Sequence, residues 1–215
     1  MFIGHYGVGY AGKQPAKELS LGTLFMAAQW LDLLWPIFLI LGIEKVSISP
    51  AGSKIPLEFN YYPFSHSLLF VLIWAILFSG FYYIYRKNFR NALILGLLVI
   101  SHWVLDLIVH QPDLPILTTG PFAGFGLWNI PAVAITVESL IFILGVYLYF
   151  SCTKPKDKTG TYASWGLVLF LVISHIMNLI SPPPENVKLI AYVGLAMWLL
   201  VLWAYWADRH REMRV

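Results

Sequence analysis

The chain has 215 residues, 59% of them hydrophobic and 12% charged, with a mean hydropathy of +0.71 and a formal net charge of +3. That composition excludes an ordinary soluble domain. The lone Cys152 excludes an intrachain disulfide and a cysteine-rich metal site. The basic residues do not gather into one patch, so no nucleic-acid partner is expected.

Apolar runs long enough for a bilayer-spanning helix of about 20 residues lie at roughly 20–43, 66–86, 91–110, 129–150, 163–181 and 187–206. The expected fold is all-α: a polytopic membrane helix bundle of about six transmembrane helices, one integral membrane domain over 1–215. Residues 1–18 hold four glycines and a proline, which predicts an irregular or interfacial segment. His5, in FIGHYGVGYAG, reaches the bundle only if that segment folds back. The first apolar run is too long for a signal-peptide core and is expected to stay as an anchor; it carries Asp32 in QWLDLLWP.

The 44–65 loop is broken by Pro and Gly and ends at SHSLL, with His66 on or just before the second helix. Ser65 and Ser67 read as helix caps, since no G-x-S-x-G elbow surrounds them. The short turn RKNFRN makes the second and third spans antiparallel neighbours. In the third, SHWVLDLIVHQPD places His102, Asp106 and His110 four apart on one helical stripe, and Pro112 ends the helix. The apolar loop 111–128 is expected at or in the membrane surface. Glu138 lies in the fourth span; His175 lies in the fifth, with Asn178 on the same face. His210, in ADRHREMRV, reads as part of a solvated basic tail.

With the N-terminus inside, eleven of the fourteen Lys and Arg residues fall on the cytoplasmic side, which predicts cytoplasmic N- and C-termini. Ionisable groups in hydrocarbon cost about 2.5–3.5 kcal/mol each on insertion scales, so they are expected to face the bundle interior and to serve function. Asp32, His102, His175 and Glu138 all fall near mid-membrane; His66, His110 and Asp113 lie farther out. Histidine with carboxylate suits a divalent metal: zinc, with manganese or iron as alternatives. His66, His102, Asp106 and His110 are the first candidate ligands. His175 and His5 are further ligand candidates. Asp32 and Glu138 are candidate catalytic groups for proton transfer.

These same residues carry a family resemblance. His5 in GHYGVG, Asp32 in QWLDLLWP, His66 in SHSLL and His102 with Asp106 in SHWVLDL resemble the YdjM-like family of predicted inner-membrane metal-dependent hydrolases, over roughly the first half of the chain. The resemblance implies metal-assisted hydrolysis in the cell (inner) membrane. The H-x-x-x-D-x-x-x-H spacing also looks like the metal-binding helices of zinc-dependent phospholipase C proteins. The expected function is therefore hydrolysis of an ester or phosphoester on a membrane lipid or lipid-linked substrate, by a monomer or a homo-oligomer. Two rival readings are an ion- or proton-coupled transporter relaying through Asp32, Glu138 and His175, and a haem protein with His102 and His175 as axial ligands.

Overall fold

The computed structural model describes residues 1–50, 53, 55–182 and 184–214. The chain begins with α1 (Ile3–Ala11), α2 (Leu21–Ala28) and α3 (Trp30–Ile40). The hairpin β1 (Lys45–Ile48) with β2 (Leu57–Tyr61) and the single turn α4 (Pro63–His66) lead into α5 (Leu68–Arg86) and α6 (Phe89–Val109). A second hairpin, β3 (Leu114–Pro115) with β4 (Phe122–Ala123), precedes α7 (Pro131–Cys152). After β5 (Thr153–Pro155) come α8 (Lys158–Ile180), α9 (Val187–Leu195), α10 (Met197–Arg209) and β6 (Arg211–Met213), which pairs back on β5.

Among the described residues, five helices are long and apolar enough to cross a membrane: α5, α6, α7, α8 and the α9–α10 pair. The α2–α3 pair, bent by 59°, makes a sixth if counted as one span. The bundle is thus that of a multi-pass membrane protein, with short hairpins at its two ends. Local chemistry sets the helix starts: Ser20, Ser67, Asn88, Asp157 and Asn186 each accept a backbone N–H of the first turn. Lys87, in the left-handed region at φ 53°, stops α5 immediately before Asn88 caps α6. The two helices therefore pack antiparallel, as expected. Their environments differ: 56% of the apolar stretch of α6 is buried against 11% for α5, so α6 is the central helix.

Two expectations about the chain ends are corrected. The N-terminal segment is regular over its first half: α1 is a helix packed inside the bundle, with His5, Tyr6 and Tyr10 buried, while residues 12–18 form turns. Small residues allow this. Gly7 lies against the backbone of α7, and a Cβ on Gly145 would collide with the Gly7 carbonyl. The C-terminal tail is not simply solvated either. His210 Nδ1 lies 2.7 Å from Asp157 Oδ2, and this bond holds the Asp157 carboxyl below the usual carboxylate range. Arg211 donates from Nε to Thr153 Oγ1 at 3.0 Å.

The same end is tied together by a buried ion pair. Lys13 Nζ donates to Asp208 Oδ2 at 2.8 Å, and Asp208 also accepts from the Tyr149 hydroxyl and the Leu21 amide. Both partners are 8% exposed. Removing one buried charge strands the other, at a cost of about 3–5 kcal/mol. Asp208→Asn is therefore expected to lower the melting temperature in detergent markedly; an unchanged midpoint would mean that water screens the pair.

Candidate metal centre and its cavity

His102 sits on the buried face of α6 and is fully buried. Its Nδ1 lies 2.8 Å from the carbonyl oxygen of Ala28, the last residue of α2. A carbonyl only accepts, so Nδ1 carries a proton and Nε2 is the nitrogen left to meet a cation. The break between α2 and α3 explains the acceptor: a continuous helix would use that carbonyl internally, whereas a helix end leaves it for a side chain. His102 Nε2 then faces Asp106 Oδ2 at 3.3 Å and Asp32 Oδ1 at 3.6 Å, with no hydrogen bond among the described residues.

His66 is fixed in the same sense by a relay that the sequence did not reveal. Glu44, 2% exposed, accepts from the Ser65 amide at 2.7 Å and from the Ser65 hydroxyl at 2.6 Å. With its proton committed to Glu44, Ser65 Oγ accepts from His66 Nδ1 at 2.7 Å. His66 Nε2 is left facing Asp32 Oδ1 at 3.4 Å and Asp106 Oδ2 at 3.8 Å. Burial pushes the Glu44 carboxyl above its ordinary range, and the two Ser65 bonds only partly oppose this. Of the two serines read as caps, Ser67 does cap α5, while Ser65 serves the relay. The missed signal was an acidic residue directly after an apolar span; nothing local joins it to a serine 21 residues later.

Two imidazole nitrogens aimed at two carboxylates need a cation between them, either a proton on the ring or a metal ion. Ions held by nitrogen and oxygen at 2.0–2.2 Å in four-coordinate sites separate their ligands by about 3.3–3.6 Å. Three of the four histidine-to-carboxylate separations, 3.3, 3.4 and 3.6 Å, fall within that spacing, and the fourth, His66 to Asp106 at 3.8 Å, is slightly longer. Among the described residues, His66, His102 and Asp106 form one group able to hold a metal, and His5, Asp32 and His102 form another. The donors present therefore fit a divalent ion.

Each remaining sequence candidate has a definite place. His5 does fold back: its Nε2 lies 3.1 Å from Asp106 Oδ1, and its ring stacks on His102 with centroids 3.6 Å apart. The Met1 amino nitrogen lies 2.6 Å from the same oxygen. Asp32 stands among the ligand atoms, whereas Glu138 is set apart and accepts from the Gly4 amide at 3.2 Å. His110 leaves the stripe, because α6 stops at Val109 and its backbone turns extended. It lies outside both metal-holding groups, with Nδ1 3.0 Å from Asp113 Oδ1 and its ring against Trp128. His175 is also outside both groups. It makes no bond to Asn178 or to any other described residue, and it stacks on Phe2.

A cavity of about 570 Å³ joins these places. Asp32, His66 and Asp106 line one wall; Glu138, His175 and Asn178 line another; Phe59, His110 and Trp128 stand near the hairpins. No protein-family model, curated protein or solved structure matches the chain.

Proposed function

We propose that the protein is a metal-dependent hydrolase of the cell (inner) membrane, related to the YdjM-like proteins it resembles, which cleaves an ester or phosphoester of a lipid-borne substrate. The observation that carries this reading is the convergence of two imidazoles and two carboxylates, of which His66, Asp32 and Asp106 line the cavity while His102 lies buried directly behind them. His66, His102, Asp32 and Asp106 would hold the ion, with zinc first and manganese or iron as alternatives. A divalent ion held by these residues would supply Lewis-acid polarisation of the ester and a water acidified toward neutral pH.

The chain's own groups do the rest. His5 orients Asp106 through the oxygen turned away from the ligand histidines. Glu138, on the facing wall, accepts the proton of the attacking water and returns it to the leaving oxygen as the ester bond breaks. Both termini lie in the cytoplasm in this reading, because eleven of the fourteen basic side chains then fall inside.

The break of α2–α3 near the centre favours an ion-coupled carrier as a second reading, because transporters build midplane sites from broken helices. His102 turns Nε2 to two carboxylates, which have no task at a haem iron. Chelator-stripped protein should lose hydrolysis of lipid phosphoesters and esters and regain it on zinc, manganese or iron reloading. Gradient-driven uptake in proteoliposomes with no hydrolysis of any ester would replace this reading with the carrier.

A further inference from the structure

The helices α7 and α8 follow one another through β5, yet their backbones rarely approach each other, and near β5 the seam is closed by Phe150 stacked on Trp165 with centroids 4.5 Å apart. α7 packs on α1 and α8 on α10. Two hollows open along the resulting seam: the cavity at the metal centre, and a groove of about 660 Å³ farther toward β5. The residues facing them recur at steps of three and four, which is one face of a helix. On α7, Ala134 and Glu138 face the cavity, and Phe142, Val146 and Phe150 face the groove. On α8, Trp165, Val168 and Val172 face the groove, and His175 and Asn178 face the cavity. One stripe per helix thus lines both hollows, which lie a single turn apart along each helix.

The chemistry changes at that turn. Below it the walls are aliphatic and aromatic; above it they carry Glu138, His175 and Asn178 opposite the metal-binding wall. His175 is 6% exposed and neither ring nitrogen has a partner among the described residues. A buried imidazole without a partner is costly unless a ligand supplies one. From Glu138 to Ser151, α7 rises about 20 Å at 1.5 Å per residue, the reach of one long acyl chain.

We infer that the α7–α8 seam is a lateral lipid-binding crevice, in which one apolar chain of a membrane lipid lies along Phe142, Val146, Val168 and Val172 while its polar head hydrogen-bonds His175. The inference rests on the proposed reading of the cavity as the reacting end. It specifies how the substrate arrives: sideways from the bilayer, chain in the groove and ester beside the metal centre. Two other occupants compete. One is a surrounding phospholipid held the opposite way, with its phosphate at Arg214, which lines the far end of the groove. The other is a second copy of the chain.

The test uses the full protein in nanodiscs containing phosphatidylcholine with a diazirine either at the end of an acyl chain or beside the ester. After illumination, labelled peptides are compared with labelling at Ile76 and Ile84 on the exposed face of α5. Because a binding site buries most of its ligand, labelling in the seam should exceed that background by about five-fold or more. Chain-end probe should mark the Val146–Phe150 and Trp165–Val168 turns, and ester probe the His175–Asn178 turn. Val168→Trp should abolish both signals and leave metal content unchanged.

Ester probe at Arg214 with chain-end probe at His175 would overturn the inference in favour of the surrounding phospholipid. Labelling no stronger than at Ile76 would overturn it too, and a wild-type dimer dissociated by Val146→Trp in native mass spectrometry would assign the seam to a second copy. Specific labelling by a protein that binds no metal would keep the crevice and sink the hydrolase reading, so the two failures are distinguishable.

Discussion

His102→Ala protein is expected to purify folded but with below about a tenth of an ion per chain, where the wild type carries about one. Loss of a ligand should exceed the roughly 10–100-fold weakening typical of changes behind the ligands. Two features of His102 make the effect large. Its Nδ1 is committed to the Ala28 carbonyl, so no other nitrogen can take over, and its Nε2 faces both carboxylates at once. Asp106→Asn should behave alike, because a neutral amide offsets less of the ion's charge and leaves Asp32 to balance it alone. Elemental analysis of detergent-purified protein, with helicity and elution volume as controls for folding, reads the result. Full metal content in either variant would remove these residues from the centre.

The second large effect is expected from a residue that touches no ligand atom of the ion. Glu44→Gln preserves shape but weakens the acceptor that holds the Ser65 hydroxyl, and Ser65→Ala removes the acceptor of His66 Nδ1 altogether. Either change frees His66 to place its proton on Nε2, where it cannot ligate. Metal affinity should fall by about 10–100-fold in both variants, the usual range for partners behind a metal-binding histidine. Chelator competition measures the loss, and the nitrogen shifts of the His66 ring report which nitrogen carries the proton. Unchanged affinity with an unchanged ring would show that His66 is oriented by packing alone.

The sequence exposed the parts of the centre whose oddity is local. His102 and Asp106 stand four apart in an apolar run, Asp32 interrupts another, and His66 opens a third; each is conspicuous because hydrocarbon penalises it. The spans were legible for the same reason, and their ends match the helices to within a few residues apart from an earlier start to α8. Three features were not legible. α1 was obscured because its glycines, which make the close crossing with α7 possible, also read as breakers of regular structure. His110 fits the four-residue stripe, but the helix ends one residue short of it, and periodicity says nothing about where a backbone turns. Glu44 looks like any acidic residue leaving a membrane, and only the folded chain shows it beside Ser65.

The placement of α1 also orders events in time. Its nine residues are less than half the length of a spanning helix, so it cannot hold a transmembrane position by itself. The helix it docks on begins more than a hundred residues later, at Pro131. During synthesis α1 can meet α2 and α6 first, and His5 can reach Asp106 once α6 is in place, but its most extensive partner arrives only when α7 has been made. The earliest of these helices to leave the ribosome is thus enclosed only by one of the later ones, beside a polar centre supplied by its successors.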